Sequence, residues 1–192
     1  VARGLPTVVT IASAAPGTAE HFAQRFHGET FRIYTHDDVI GVQVGGAVKN
    51  VMAIAAGIAD GLGFGANTRA GLITRGLAEI MRLGLAMGGR RDTFMGLAGL
   101  GDLVLTCTDD QSRNRRLGLA VARGRTVAEA SREIGQAIEG VRTAAVVCDL
   151  AAKHGVEMPI SEQVQQVISG KVTPAAAVQN LLRRERKGEL KI

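Results

Sequence analysis

Aromatic residues are almost missing from this chain: there is no tryptophan, one tyrosine, and Phe, Trp and Tyr together make up 3% of 192 residues. Platforms that stack nucleobases need aromatic faces, so that mode of nucleic-acid recognition is disfavoured. Cysteine is scarce too. Cys107 and Cys148 are the only two, they show no metal-ligand spacing, and a disulfide framework needs more of them. They read as thiols of a reducing cytoplasm in a protein without a metal. No uninterrupted apolar run reaches the roughly 18 residues of a membrane span, and the opening VARGLPTVVT has no signal-peptide cleavage pattern. The first residue is not Met, from which a preceding segment is expected.

Glycine and arginine are in excess. The 25 glycines are about 13% of the chain against a usual ~7%, which points to tight turns and close backbone approaches. Lys and Arg number 23 against 18 Asp and Glu, a net charge of +5. Most of these cations are Arg, whose planar fork grips phosphate or carboxylate at two points, so a small anionic ligand is expected. With 46% hydrophobic and 21% charged residues the chain is globular in composition.

Residues 7–13, TVVTIAS, are a β-branched run suited to a buried strand, and residues 31–35, FRIYT, alternate as a half-buried strand does. Ala19, Phe22, Ala23 and Phe26 recur at helical spacing between them, with Thr18 as the expected N-cap and Gly28 as the expected stop. Strand, helix and strand make one βαβ unit. Such a unit cannot bury its own faces, so residues 1–38 read as the end of a larger α/β sheet.

From Gly41 onward the pattern is helical, giving a mainly α fold. Val48, Met52, Ala55, Ile58 and Leu62 form one stripe, and Leu72, Leu77, Ile80, Leu83 and Met87 another. Thr126-Val-Ala-Glu129 fits a capping box, Thr173-Pro174 a cap followed by a first-turn proline, and Gly155 the stop of the helix that carries Ala144, Val147, Cys148 and Ala151. The end, RRERKGELKI, reads as a charged, frayed tail. The domain division expected is 1–38 and 39–192.

Four motifs carry chemistry or its imitation. Gly61-Leu-Gly63-Phe-Gly-Ala66 formally matches the dinucleotide fingerprint, but that fingerprint works between a strand and a helix N-terminus, whereas this one follows a helical stripe and reads as a helix-to-helix turn. Lys49 is the one cation in an apolar helix expected over residues 42–58. A buried ammonium costs several kcal/mol unless paired, so it is either partnered and functional or snorkels to water. Asp102, after the glycine turn Gly99-Leu-Gly101, either orients such an ammonium or caps the helix that follows. Ser112-Arg-Asn-Arg-Arg116 crowds donors for an anion, or is a solvated charged face.

Taken together these segments resemble the bacterial NAD(P)-dependent glycerol-3-phosphate dehydrogenase family. The phrases GVQVGGAVKNVMAIAAGIADGLGFGANTRAGLITRGLAEI, TFMGLAGLGDLVLTCTDDQSRNRRLG and IEGVRTA stand in that family's order and approximate spacing, over nearly the whole chain. The resemblance implies an all-helical substrate domain preceded by the last βαβ piece of a Rossmann domain. The rest of that domain, with the true glycine fingerprint and a second lysine, would lie ahead of Val1. The implied reaction is reduction of dihydroxyacetone phosphate to sn-glycerol 3-phosphate with NADH or NADPH, supplying glycerophospholipid synthesis. Lys49 matches the family's catalytic lysine, and Asp102 would fix its direction. Ser112, Arg113 and Asn114 match the substrate-binding run, Thr106 would add a hydroxyl, and Arg113 would also reach the cofactor's phosphates. Glu139 matches a cofactor contact, with Ala137 as a neighbouring backbone contact and Arg115 and Arg116 as supporting charge. A homodimer without nucleic acid or membrane span is expected, and the 192 residues alone are expected to be inactive. Two further readings are a sibling β-hydroxyacid dehydrogenase, whose substrate lacks the phosphate, and a basic helical module for nucleic acid.

Overall fold

The structure is a computed structural model that describes residues 1–184; most of the charged end expected to fray, from position 185, lies outside the described residues. β1 (Thr7–Ala12), α1 (Thr18–Phe26) and β2 (Phe31–His36) form the expected βαβ unit. Its strands pair in parallel in the register Thr7 to Phe31 through Ala12 to His36. Two details of α1 differ from the sequence reading. Thr18 is already helical and Gly17, at φ 74°, takes the N-cap position, while the helix closes at His27 rather than Gly28. A glycine with positive φ redirects the chain at lower conformational cost than a threonine can.

The rest is helical: α2 (Val39–Gly61), α3 (Ala66–Ala86), α4 (Arg91–Met95), α5 (Asp102–Thr108), α6 (Arg113–Ala122), α7 (Val127–Ile134), α8 (Glu139–His154), α9 (Pro159–Ile168) and α10 (Pro174–Leu182). Helix α2 is the axis against which α3, α5, α6, α8 and α9 pack. It is longer than the predicted 42–58 at both ends. Its start is fixed by Asp38, whose Oδ1 accepts from the Gly41 amide (2.8 Å) and whose Oδ2 accepts from the Arg90 amide (2.7 Å) and Thr93 Oγ1 (2.6 Å). Burial alone would raise the Asp38 pKa, but these donors overcome it and hold the carboxyl below its ordinary value. Gln43, Lys49 and Asn50 interrupt its apolar run, yet α2 is long and apolar enough to cross a membrane by length and composition. Most of it is buried inside the fold, as in a core helix.

One close approach sets the geometry of everything that follows. A Cβ added at Gly118 of α6 would fall 2.2 Å from the Ile54 carbonyl oxygen, and one at Gly57 of α2 would fall 2.0 Å from that of Arg115. Only two glycines facing each other let the backbones of α2 and α6 come this near, and the contact brings the start of α6 alongside the middle of α2. The capping box at Thr126 and Glu129, the Thr173 cap before Pro174 and the left-handed Gly155 that ends α8 are all present. Gly61 to Ala66 is the turn from α2 to α3, as its context in the sequence predicts.

Candidate functional site

Lys49 lies halfway along α2 with 20% of its side chain exposed, and its Nζ pairs with Asp102 Oδ2 at the start of α5. Asp102 therefore does not cap its helix: no side-chain cap is present at this N-terminus, and Gly101 holds the cap position. The chain reaches Asp102 through a π-helical turn, Leu97–Gly101, that runs directly into α5. Such wide turns insert a residue and re-aim the side chains beyond them. The turn is pressed onto α2, since a Cβ at Gly45 would meet the Ala98 carbonyl oxygen at 2.7 Å. One turn further along α5, Thr106 Oγ1 donates to the Asp102 carbonyl (2.6 Å) and lies 3.4 Å from Asp102 Oδ1. The ammonium, the carboxylate and the hydroxyl form one partly exposed polar cluster.

Asn50, the next residue on α2, connects that cluster to the arginine run. Its Oδ1 accepts from Asn114 Nδ2 (3.0 Å), and its Nδ2 donates to Glu139 Oε2 (3.1 Å) and the Gly46 carbonyl (3.3 Å). Asn114 Oδ1 in turn accepts from the Gly140 amide (2.9 Å). The amides of Asn50 and Asn114 and the start of α8 thus close a ring in which each group has a partner of the right sense, as burial of these groups requires. Gly140 must be glycine for this, because a Cβ there would lie 2.6 Å from Asn114 Oδ1 and 2.9 Å from the Asn50 carbonyl oxygen.

Arg113, the first residue of α6, extends over this ring with 37% of its side chain exposed, and its Nη2 lies 3.9 Å from Glu139 Oε1. Ser112 caps α6, its Oγ accepting from the Arg115 amide (3.3 Å). The amides of the first helical turn have no acceptor within the helix and carry the positive end of its dipole, so this corner combines a guanidinium with anion-seeking N–H groups. Ala137 is exposed just before α8. It joins the site through its place in the chain, two residues before Glu139.

The remaining arginines part ways. Arg115 turns inward, where Nη2 donates to Asp60 Oδ2 (2.6 Å) and Nη1 pairs with Asp110. Asp60 also holds Arg69 Nη1 at 2.7 Å. Arg116 is exposed. The run is therefore not a continuous basic face of the kind a nucleic-acid module presents. Asn50 is the residue that the sequence reading passed over. Its signal was there, as the second polar side chain in the same apolar stretch as Lys49.

Residues 38–179 match the family described as NAD-dependent glycerol-3-phosphate dehydrogenase, C-terminus. Among curated relatives, a glycerol-3-phosphate dehydrogenase [NAD(P)+] of Thioalkalivibrio sulfidiphilus is 64% identical over 189 residues, covering 98% of this chain and 57% of the relative. One of Nitrosococcus oceani is also 64% identical, with 98% and 55% covered. The chain thus spans little more than half the length of these relatives. Among solved structures, glycerol-3-phosphate dehydrogenase from Coxiella burnetii superposes with a TM-score of 0.92 at 52% identity, over 95% of this chain and 56% of that one. The Saccharomyces cerevisiae enzyme superposes at 0.83 and 26% identity, with the same coverage.

Proposed function

This chain belongs to the family of NAD-dependent glycerol-3-phosphate dehydrogenase C-terminal domains, and from that premise we propose that it forms the substrate-binding, proton-transferring part of an oxidoreductase that interconverts dihydroxyacetone phosphate and sn-glycerol 3-phosphate. Residues 1–38 are, in this reading, the last piece of a dinucleotide-binding domain, and the substrate domain starts at Val39. The single observation that carries the reading is the Lys49–Asp102 pair, tied through Asn50 to the anion-seeking start of α6.

The substrate has a phosphate at one end and a reacting oxygen on C2. Arg113, the Ser112 hydroxyl and the first amides of α6 hold the phosphate. Arg113 does this best because its fork bonds two oxygens at once. When bound, NADH or NADPH supplies the hydride in one direction and takes it up in the other. The residues at the solvent-facing edge suit such a group: the Glu139 carboxylate would accept from hydroxyls of a ribose, Arg113 would offer charge to a phosphate, and the exposed backbone at Ala137 would allow close approach because its side chain is small.

Negative charge builds on the C2 oxygen during reduction and must meet a proton. Lys49 Nζ gives that proton, and in oxidation it takes the proton from the C2 hydroxyl. Asp102 keeps the ammonium aimed at the reacting centre, and Thr106 steadies Asp102 through its carbonyl. Asn50 and Asn114 set the distance between the lysine and the phosphate corner, so that the two ends of one three-carbon molecule are met together.

The reading extends to a cytoplasmic homodimer that supplies glycerol 3-phosphate for glycerophospholipid synthesis. Because the 192 residues hold no glycine fingerprint between a strand and a helix, they are expected to turn over only with a Rossmann half supplied covalently or in trans. The test is calorimetric titration of sn-glycerol 3-phosphate into the chain, with NADH oxidation followed with and without such a half. Binding that Arg113→Ala weakens by at least about tenfold supports the assignment, whereas no binding, or equal binding by that variant, removes it.

A further inference from the structure

A groove of about 670 Å³ opens on the side of the molecule bounded by α3, α9 and α10, and none of the site residues described above lines it. Its volume lies within the roughly 300–1,000 Å³ of small-molecule sites. Ala55, Ile58 and Ala59 of α2 form the floor, and Leu72, Val164 and Leu181 stand along the walls. Small residues create the room: nothing lies within 4 Å of a Cβ built at Gly71, which also lines the groove.

Among the described residues that line the groove, the cations Arg75, Arg82 and Arg184 outnumber the acid Glu79. Glu79 is spent on the start of α9, its Oε1 accepting from the Ile160 amide (2.6 Å) and its Oε2 from the Ser161 amide (3.2 Å) and hydroxyl (3.1 Å). Arg82 gives Nε and Nη2 to the Glu157 carbonyl (3.2 and 3.0 Å), and Arg184 gives Nη2 to Glu157 Oε2 (3.0 Å). A guanidinium has five N–H donors, so among the described residues these contacts leave donors on both for an anion.

We propose that this groove is a binding site for a soluble, single-chain anionic amphiphile, its aliphatic chain laid along α2 and its head group held by Arg82 and Arg184. The apolar floor takes the chain, for which each buried methylene tightens binding by about fourfold. The arginines reject a cationic head and favour a carboxylate or phosphate.

Laurate, kept below its micelle concentration, is titrated calorimetrically into the 192-residue chain, beside caprate and dodecyltrimethylammonium. Saturable binding of laurate is expected, with caprate roughly fifteenfold weaker and the cation not bound. Gly71→Leu puts a side chain into open groove and should weaken laurate at least tenfold without lowering the melting temperature, while Gly71→Ala should bind nearly as the parent does. Equal affinity for laurate and caprate, binding of the cation, or an unaffected Gly71→Leu overturns the proposal. Sedimentation of a dimer that Gly71→Leu dissociates assigns the groove to a second copy and overturns it too. So does co-sedimentation with phosphatidylglycerol vesicles in the absence of laurate binding.

Discussion

Lys49 and Asp102, 53 residues apart in sequence, are joined across the α2–α5 contact by an ion pair whose side chains stay 20% and 34% exposed. That partial exposure is what a proton-transferring lysine needs: shelter enough to be held by one carboxylate, and an open side from which a substrate oxygen can approach. A pair sealed in the core would stabilise or strain the fold and do nothing else.

The first prediction concerns this pair. With a dinucleotide-binding half supplied, Lys49→Met should lower kcat by about 10²–10⁴-fold, the usual worth of a positioned general acid or base. Asp102→Asn keeps an acceptor for the ammonium but loses the charge, and should fall between Lys49→Met and the parent. Steady-state rates at saturating substrate check both, and an unchanged kcat in Lys49→Met would remove the lysine from the chemistry.

The second concerns the phosphate corner. Arg113→Ala removes a charge-assisted contact and should weaken sn-glycerol 3-phosphate by roughly 1.5–3 kcal/mol, seen as a raised Kd in calorimetry. Arg116→Ala, on an exposed side chain of the same helix, should leave Kd nearly unchanged. If the two variants behaved alike, general positive charge and not a specific fork would be holding the phosphate.

How much of this was legible in the letters follows from the range over which each contact acts. The capping box at Thr126, the stop at Gly155 and the cap at Thr173 are local and read directly, because the partners sit within one helical turn. Lys49 and Asp102 stood out as polar residues set in apolar surroundings, although their pairing depends on a π-helical turn that has no sequence period. The Asn50–Asn114 hydrogen bond spans 64 positions, and an asparagine in a helix announces no partner. The inward turn of Arg115 is a matter of angle. At about 100° per residue it stands roughly 200° from Arg113 on α6, so one of the two must face the core when the other faces the site.

The third prediction tests that ring. Gly140→Ala forces a Cβ to within 2.6 Å of Asn114 Oδ1 and 2.9 Å of the Asn50 carbonyl oxygen. Backbone cannot yield as a flexible side chain can, so α8 should shift. A cost of about 1–3 kcal/mol in denaturant unfolding is expected, together with weaker glycerol 3-phosphate binding. Gly46→Ala on α2 meets nothing within 4 Å and should keep or raise stability, which separates crowding at Gly140 from a general effect of replacing glycine.

The fourth concerns pH. Burial pushes the Glu79 carboxyl up from 4.5 to about 7, against the lowering effect of its donors Ile160 and Ser161. An acid whose pKa is higher folded than unfolded binds more protons in the native state. Its contribution is therefore complete below about 4.5 and is lost as pH rises toward about 7. In Glu79→Gln the side chain cannot ionise, and its oxygen still accepts from α9. The variant should show a flatter stability profile between those two pH values and exceed the parent above pH 7, by about 3 kcal/mol at most. Thermal unfolding of both chains across that range decides it. Parallel profiles would mean that Glu79 is already ionised in the folded chain at the acid end, with the amides of Ile160 and Ser161 compensating its burial in full.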